Sequence, residues 1–299
     1  MNTLGRNLTY VVPVSRLSNI CQELIRIIDN AIAFQVHLIL VHDIQDHESE
    51  QLLISIIKNR SSAFIEIHSG VFGNPGSARN YGMQFVRTKW VAFSDGDDIP
   101  QFENMIALVS LCENSDADLG VGAIEVNEMC YPNRKFVHLP PNIEEIFTGL
   151  AFFPAFTRVV YNKNFLQNVS FVASRMGEDQ CFILETLNRL PQIVVTSKTV
   201  YTYLVGRDFQ ATNCAPAFID LALSIHALLD VVPSSPKMRE VRLIFLARFI
   251  MSFLKRNPRQ IVSALRPDLK KIFKAFFINP ALSLRLIILL SRKRVGLFG

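Results

Sequence analysis

The chain has 299 residues and a net charge of +5 at neutral pH, with 49% hydrophobic and 19% charged residues. This is the composition of a globular protein that can bury a sizeable core as one large domain or as a domain with an appendage. The five cysteines are odd in number and form no Cys-x-x-Cys pair. Their pattern indicates a reducing compartment and argues against a zinc site.

Charge is distributed unevenly along the chain. From residue 237 onward there are fifteen Lys or Arg and two acids, so this stretch carries +13 while residues 1–236 carry −8. The N-terminus lacks the pattern of a secretory signal, and no run of 18 apolar residues is available for a membrane-spanning helix. We therefore expect a cytoplasmic protein, or a peripheral one on the cytoplasmic face of the membrane.

Apolar strand patterns alternate with helical patterns over the first hundred residues. The predicted strands are LTYVVPV (8–14), VHLILVH (36–42), AFIEIH (63–68) and KWVAFS (89–94), and a helical pattern follows each of the first three. Continuous Val, Ile and Leu runs between helices are typical of βαβ units around a parallel sheet. Ligands of such sheets bind beyond the carboxyl ends of the strands. Polar loops follow these ends at His42-Asp43, SGVFGNPGSARN and SDGDD.

The loop SDGDD places Asp95, Asp97 and Asp98 directly after an apolar strand pattern. Two carboxylates about 4 Å apart repel by on the order of 4 kcal/mol at the effective dielectric of a protein surface. A divalent cation, a nearby Arg or Lys, or water around an open turn can compensate for this repulsion. Because Asp and Gly are ordinary turn residues, the cluster alone leaves a solvated loop as an open alternative.

The pattern is less regular beyond residue 100. It predicts a helix near 101–114, a strand at 118–126, a strand and short helix within 153–167, a helix from GEDQCFILETLNRL (177–190), and strands at QIVVTS and TVYTYLV. Pro233 and Pro236 mark the start of the basic tail. We expect an α/β domain over residues 1–214 and a helical, basic and amphipathic region over residues 215–299.

Five motifs follow one another in a fixed order. They are VVPVS at the end of the first strand, VHD after the second, GNPGSARNYGM, VAFSDGDD and GEDQCF. In this order they resemble the family 2 glycosyltransferases, of the type that builds bacterial cell-surface polysaccharides. The resemblance implies the GT-A fold, an α/β architecture with a Rossmann-like, mostly parallel central sheet and flanking helices. It also implies transfer of a sugar from a nucleotide-sugar donor.

The resemblance implies a site for the nucleotide sugar and a divalent metal ion. The acidic motif places Asp95 toward the ribose and Asp97, with Asp98 beside it, at a Mg²⁺ or Mn²⁺ ion that bridges the diphosphate. Hard oxygen ligands suit these ions, which complete their coordination with phosphates and water. The other implied donor-binding residues are Pro13, Val14 and Ser15 after the first strand, Asp43 near the nucleobase, and Arg79 and Arg207 near the diphosphate.

The Gly-Glu-Asp motif at 177–179 resembles the family's catalytic-base motif. The resemblance implies that Asp179, or its neighbour Glu178, deprotonates the acceptor hydroxyl for in-line attack on the anomeric carbon, which inverts its configuration. A general base must lie within hydrogen-bond reach of that hydroxyl. The alternative is that the two acids only stabilise the start of a helix, where carboxylates interact favourably with exposed amides.

The sequence departs from the family pattern in two places. The family usually reads VDDGSTD where this chain has VHDIQDH, so His42 replaces an acid and Ile44 a glycine. We expect His42 to be a packed or hydrogen-bonded loop histidine. The QxxRW motif of processive synthases is also missing, and the single tryptophan is Trp90. We therefore expect the enzyme to add one sugar, or very few, per encounter.

The basic tail contains an amphipathic helical pattern, DLKKIFKAFFIN (268–279), with apolar residues on one arc and lysines on the other. This layout is typical of an interfacial helix, and we expect residues 237–299 to bind a peripheral membrane surface. The alternative is a helical appendix whose apolar faces form a small core or a homo-oligomer interface. A nucleic-acid partner is not expected, because no binding motif is present and the acidic body would repel phosphates.

The sequence thus predicts a metal-dependent inverting glycosyltransferase. We expect it to use a nucleotide sugar, more readily a UDP-sugar than another, and to act on a glycan or lipid-linked acceptor. A sugar-nucleotide pyrophosphorylase shares the fold, but VVPVSRLSN stands where a Gly-rich segment should follow the first strand. The third alternative is an inactive relative that serves as a membrane-associated scaffold, and the acids at 95, 97 and 179 argue against it.

Overall fold

The computed structural model describes residues 3–44, 47–58, 60, 62–128, 135–143, 145–206, 220–256 and 264–278. The chain divides into two compact units. The sheet unit comprises the described parts of residues 1–143, 155–170 and 191–207, and the helical unit those of residues 144–154, 171–190 and 208–299. The predicted domain boundary at 214/215 lies in the stretch 207–219, outside the described residues, and stays a prediction.

All described strands belong to the sheet unit and form one mixed sheet. The strands are β1 (Leu8–Val14), β2 (His37–Asp43), β3 (Ile65–Gly70), β4 (Trp90–Phe93), β5 (Ile99–Pro100), β6 (Leu119–Glu128), β7 (Lys135–His138), β8 (Val159–Asn162) and β9 (Ile193–Val205). Their order is β3-β2-β1-β4-β8-β6-β9-β5, and β7 pairs with β6. The first four in this order are mutually parallel, as is the pair β6 and β9.

The central strands of the parallel half, β1, β2 and β4, are apolar along most of their length. β1 and β4 are almost completely buried, and the interior residues of β2 are as well. The helices of this unit are α1 (Leu17–Phe34), α2 (His47–Lys58), α3 (Pro75–Met83) and α4 (Phe102–Asn114). Strands buried on both faces by such helices are typical of βαβ units, so the predicted α/β fold class is confirmed.

Helix α3 lies close against the sheet. A Cβ on Gly82 would come within 2.5 Å of Val11 Cγ1 and 2.8 Å of Val41 Cγ2, so a larger residue would force the helix away from β1 and β2. At its other end the Asn74 side chain accepts a hydrogen bond from Ser77 N at 2.8 Å, and Pro75 occupies the first turn. Both features are favourable at a helix N-terminus. They fix where α3 begins and hence where Arg79 lies.

The described part of the helical unit contains no strands. Its helices are α5 (Ile146–Phe152), α6 (Glu178–Leu187), α7 (Leu221–Asp230), α8 (Pro236–Arg256) and α9 (Leu269–Phe277). Helix α8 has buried residues on every side, including the consecutive run from Leu243 to Ala247. A stretch of helix that is buried all round lies inside a core, whereas residues near both ends of α8, such as Lys237, Arg239 and Lys255, are exposed. The first part of the basic tail therefore forms the centre of this unit.

Candidate active site

Three acids follow β4 at the carboxyl edge of the parallel sheet, as predicted. The turn is tightly packed, since a Cβ on Gly96 would lie 2.8 Å from Ile20 Cδ1 in α1 and 3.5 Å from the Pro13 carbonyl oxygen in β1. Asp95 and Asp97 are half-buried, whereas Asp98 is only 1% exposed. The turn is therefore no solvated loop. Its carboxylates stand in different surroundings although they are adjacent in sequence.

The guanidinium of Arg79 compensates part of this charge. Arg79 comes from α3, its side chain is 3% exposed, and Nη2 donates to Asp95 Oδ1 at 2.5 Å. The guanidinium carbon also lies 4.6 Å from the centroid of the Phe156 ring. A planar guanidinium suits both contacts, because it donates to a carboxylate in its plane and stacks on an aromatic ring through its face.

Asp98 is bound on both oxygens by β9. Oδ2 accepts from the Tyr201 hydroxyl and Oδ1 from Leu204 N, both at 2.8 Å. Burial raises the pKa of Asp98, and the negative charges of Asp97 and Asp95 raise it further. Burial and then the Asp98 charge likewise raise the pKa of Tyr201. Sequence reasoning missed Tyr201, because nothing in TVYTYLV distinguishes this tyrosine from a core residue.

Residues after β1 and β2 complete this edge of the sheet. Asp43 Oδ2 accepts a hydrogen bond from Gly73 N at 2.7 Å, which ties the end of β2 to the loop that precedes α3. Val14 is buried, Pro13 is half-buried and Ser15 is exposed. The fold thus brings the predicted donor-binding residues before position 100 to one edge, where parallel sheets bind ligands. Arg207 lies outside the described residues.

His42 is buried at the end of β2, where the family pattern has an acid. It is 1% exposed, and within the described part of the chain neither ring nitrogen has a hydrogen-bond partner. A buried polar atom without a partner is uncommon and marks a position with a special role or a missing ligand. The expected packed or hydrogen-bonded histidine is packed here.

The second acidic motif begins α6 in the helical unit. Gly177 precedes the helix with φ +84°, a left-handed conformation that favours glycine. A Cβ there would lie 2.6 Å from Phe249 Cζ and 3.1 Å from Ser224 Cβ. Glu178 is 7% exposed, and Asp179 is half-buried in the first turn. Both acids therefore stand at the positive end of a helix, as the sequence predicted.

The loop that leads into α6 is held by the start of α7. Asp220 accepts three hydrogen bonds from Arg175, from N at 3.2 Å, Nε at 2.7 Å and Nη2 at 3.1 Å. These hydrogen bonds lower the pKa of Asp220. Ser224 Oγ donates to the carbonyl of Met176 at 2.8 Å. Sequence reasoning missed these supports, because they join residues more than forty positions apart.

A half-buried arginine of α8 adds positive charge to this unit. Arg248 donates to the carbonyl oxygens of Ala151 and Phe152 at the end of α5. Burial lowers the pKa of Arg248 to about 10, and the negative charge of Asp179 opposes that shift. The carboxylate of Asp179 thus lies within electrostatic reach of this guanidinium.

The acidic turn fits a Mg²⁺ or Mn²⁺ ion that is shared with a ligand. No group of three or more His, Cys, Asp and Glu side chains within the described ranges could hold a metal ion by itself. Mg²⁺ is usually bound through one or two carboxylates together with substrate phosphates and water. Asp97, half-buried between two fixed neighbours, offers such a carboxylate. Both Asp98 oxygens already accept hydrogen bonds.

The mostly parallel sheet with flanking helices is that of an α/β protein of the GT-A class. The model of the family "Glycosyl transferase family 2" matches residues 17–174. The chain belongs to this family and is a glycosyltransferase. The predicted family, the fold class and the assignment as an enzyme are confirmed.

A curated relative and several solved structures are similar to the chain. The poly(ribitol-phosphate) beta-glucosyltransferase of Bacillus spizizenii is 20% identical over 213 residues, which cover 70% of this chain and 34% of the relative. The chain therefore matches about a third of that protein's length.

Two of the similar structures contain a nucleotide sugar. Staphylococcus aureus TarS 1–349 with UDP-GlcNAc has a TM-score of 0.61 at 17% identity, covering 90% of this chain and 79% of that one. The mannosyltransferase PcManGT of Pyrobaculum calidifontis, with GDP-Man and Mn²⁺, has a TM-score of 0.59 at 10% identity, covering 97% and 87%. At these identities the likeness establishes the fold.

Proposed function

We propose that this chain transfers a sugar from a UDP-linked donor to a glycan or lipid-linked acceptor of a surface polysaccharide, with inversion and without processivity. The observation that carries the proposal is the acidic turn after β4. There the buried Arg79 pairs with Asp95, and Asp97 lies half-buried two residues further on at the carboxyl edge of a parallel sheet. The nucleotide sugars in the TarS and PcManGT structures support a nucleotide-sugar donor, and the poly(ribitol-phosphate) relative supports a polymer acceptor.

The sheet unit binds the donor in this proposal. Asp43 and the end of β1 face the nucleoside, Asp95 the ribose and Arg79 the diphosphate, while Asp97 holds Mg²⁺ or Mn²⁺. Arg207 is the second candidate for a diphosphate contact. The metal ion, when bound, stabilises the negative charge that develops on the departing diphosphate. Arg79 is already fixed by Asp95 and Phe156, so its guanidinium loses little freedom on binding.

The helical unit supplies the base in this proposal. Asp179 takes the proton from the acceptor hydroxyl as that oxygen attacks the anomeric carbon. Its position at the start of α6 and the charge of Arg248 favour the carboxylate form, which is the form that accepts a proton. Glu178 is more deeply buried, so we assign it to supporting this turn.

A donor screen with two variants tests the proposal. The wild-type protein should hydrolyse or transfer from a UDP-sugar in the presence of Mn²⁺ and lose this activity with a chelator. Asp97→Asn should abolish metal-dependent donor binding, whereas Asp179→Asn should retain it and lower turnover by about 100-fold or more. Asp29→Asn, which changes an exposed carboxylate paired with Arg60, is the control and should behave as wild type.

The same screen separates the alternatives. A pyrophosphorylase would form a nucleotide sugar from a nucleoside triphosphate and a sugar phosphate. A scaffold would bind UDP and Mn²⁺ without turnover, or not at all. An Asp179→Asn variant that turns over at the wild-type rate would move the base to another residue.

We also propose that α9 attaches the protein to an anionic membrane surface. Phe273 and Phe277 are 59% and 72% exposed one turn apart, and Ile278 at the end of the helix is 56% exposed. Lys270 and Lys274 are exposed beside them. Exposed aromatic rings next to lysines suit the boundary between headgroups and acyl chains, and each basic residue near an anionic leaflet contributes about 1 kcal/mol. No helix in the described ranges meets the length and apolarity needed to cross a membrane.

Flotation with liposomes tests this attachment. The wild-type protein should float with vesicles that contain phosphatidylglycerol and not with pure phosphatidylcholine vesicles. The variant Phe273→Ser/Phe277→Ser should lose flotation, while Ile54→Ser, which removes a 58% exposed apolar residue from α2, should keep it. Equal flotation of all three proteins would contradict the membrane role of α9. A concentration-dependent change in mass that only the double variant loses would assign this face to a second copy of the chain.

A further inference from the structure

The hydroxyl of Tyr201 contacts both ends of the acidic turn. We propose that Tyr201 and Asp98 are positioning residues, which set the backbone of the turn so that Asp97 holds its metal ion in the productive geometry. This assigns to Asp98 an indirect role instead of the metal contact expected from the sequence. The inference rests on the proposed function, because it concerns the same metal and donor site.

The Tyr201 hydroxyl makes hydrogen bonds to two residues of the acidic turn. Tyr201 Oη donates to Asp98 Oδ2 at 2.8 Å and accepts from Asp95 N at 3.1 Å. Ser94 Oγ lies 3.4 Å from the same oxygen. One phenolic oxygen on β9 therefore fixes the backbone of the first acid and the side chain of the last. The two contacts span the segment that contains Asp97.

The strand that carries Tyr201, β9, also binds the Asp98 side chain through its backbone. β5 pairs with only two residues of β9, at Ile99 with Thr202 and Pro100 with Tyr201. Beyond this short ladder, Leu204 N donates to Asp98 Oδ1 at 2.8 Å. The Asp98 side chain thus takes the place of a strand partner. A carboxylate has acceptors for both Tyr201 and Leu204, whereas an asparagine offers one oxygen and would leave one donor unmatched.

The bond between Tyr201 and Asp98 fixes the turn that carries the proposed metal ligand, Asp97. The side chains of Tyr201 and Asp98 are almost completely inaccessible to solvent, so their bond is not exchanged for water. Asp95 is held a second time by Arg79. Residues that orient a metal ligand without touching the ion typically contribute 10- to 100-fold to metal affinity or activity. Tyr201 is suited to this role because its ring is packed in the core and its hydroxyl reaches the turn.

Tyr201→Phe is the most direct test, since it removes only the hydroxyl. We expect the Mn²⁺ concentration that half-saturates UDP binding, measured by calorimetry on the full chain, to rise about tenfold. Turnover should fall in parallel and recover in part at high Mn²⁺. The control is Tyr10→Phe on β1, which removes another fully buried hydroxyl, one without a hydrogen-bond partner among the residues that the structure describes. It should leave the Mn²⁺ dependence unchanged.

Asp98→Asn separates positioning from direct coordination. We expect this variant to weaken Mn²⁺-dependent UDP binding about as much as Tyr201→Phe. The losses should be less than additive in the double variant, because both changes disturb the same hydrogen bond between Tyr201 and Asp98. Asp97→Asn should abolish the metal dependence altogether. If Asp98→Asn is as damaging as Asp97→Asn and adds to Tyr201→Phe, Asp98 is a metal ligand and the inference is overturned. The comparison of Asp98→Asn with Asp97→Asn can still be made if Tyr201→Phe does not fold.

Mn²⁺-dependent UDP binding by the wild-type chain separates a failure of the proposed function from a failure of the positioning role. If the wild-type chain shows no Mn²⁺-dependent UDP binding, the proposed function itself fails. If wild type binds and Tyr201→Phe binds with the same Mn²⁺ dependence at a lower melting temperature, the hydroxyl only stabilises the fold. In that case the positioning role is rejected while the proposed function stands.

Discussion

The chain places acids in two settings, and the two are supported in different ways. In the sheet unit, the turn after β4 is fixed by strand pairing, by Arg79 from α3 and by Tyr201 from β9. In the helical unit, the Gly177 turn is fixed by side chains of α7 and α8, which follow it by more than forty residues. The first setting is a property of the βα pattern, whereas the second depends on packing between helices.

The difference extends to how negative charge is tolerated. A cation touches Asp95 directly, at 2.5 Å from Arg79. Asp179 lies at the start of a helix, and its negative charge acts on Arg248 of α8. A direct ion pair suits a residue that must stay in place. A carboxylate stabilised by a helix terminus remains able to accept a proton, as the proposed base must.

The largest expected effect comes from Gly177→Ala, which breaks the packing of the second setting. The left-handed φ costs an alanine about 1–2 kcal/mol, and overpacking against Phe249 adds about 1–3 kcal/mol. We expect the free energy of unfolding to fall by roughly 2–5 kcal/mol on this basis. Turnover should fall about 100-fold, because the base is displaced. Chemical denaturation and steady-state kinetics measure the two effects.

Gly73→Ala is the matched control for this change. Gly73 also has a positive φ, of 66°, but a Cβ there would meet nothing within 4 Å. We expect it to show the conformational cost alone, about 1–2 kcal/mol. Equal losses of stability at both positions would mean that the contact with Phe249 has no part in holding the Gly177 turn.

A smaller effect is expected from Arg79→Lys, which weakens the ion pair of the first setting. Lysine keeps the charge but cannot stack on Phe156 and donate to Asp95 in the plane of a guanidinium. Donor affinity should fall by roughly 10- to 100-fold, since a hydrogen bond between charged groups contributes about 1.5–3 kcal/mol. Isothermal titration with UDP and Mn²⁺ measures it. Arg60→Lys alters the exposed pair with Asp29 and should not change affinity.

The smallest effect is expected from Asp220→Asn, which tests the support of the α6 loop through its pH dependence. Hydrogen bonds from Arg175 lower the pKa of Asp220 in the folded state. The stabilisation is therefore present above the unfolded pKa of about 3.9 and is lost as the pH falls through the folded value. We expect the variant to be less stable than wild type by at most about 1 kcal/mol at pH 7, because the pair is partly exposed.

Denaturation of wild type and Asp220→Asn at several pH values measures this difference. It should be constant between about pH 7 and pH 5 and shrink below about pH 4. A difference that grows as the pH falls has the opposite sign and would show that the pair with Arg175 does not stabilise the loop. Asp29→Asn provides the reference for an exposed carboxylate in an ion pair.

The sequence predicted the surroundings of the acidic turn after β4 better than those of the Gly177 turn. Apolar runs identified β1, β2 and β4, because a strand buried on both faces needs little but Val, Ile and Leu. The strand expected at 63–68 is Ile65–Gly70, displaced by two residues because its pairing with β2 begins at Ile65 and continues over the polar end at Ser69 and Gly70. QIVVTS and TVYTYLV, taken as two strands, form the single strand β9, since β6 runs parallel to both.

The supports of the site could not be predicted, because they depend on long-range contacts. Tyr201 lies more than one hundred positions from Asp98, and a second tyrosine, Tyr203, follows it in the same strand. The tail was expected to be helical, either at a membrane surface or as an appendix whose apolar faces form a small core, and the middle of α8 is buried. Hydropathy identifies an apolar helix, yet it does not tell a core from an interface. Motif order located the acids without indicating what holds them.

The central claim is that Asp97 binds a metal ion together with a nucleotide diphosphate at the edge of the parallel sheet. A crystal structure with UDP and Mn²⁺, with data collected at the manganese absorption edge, tests it most directly. We predict an anomalous peak at bonding distance from an Asp97 carboxylate oxygen and from the diphosphate, with Asp98 still bound to Tyr201. A manganese peak elsewhere, or UDP bound without contact to this turn, would contradict the account.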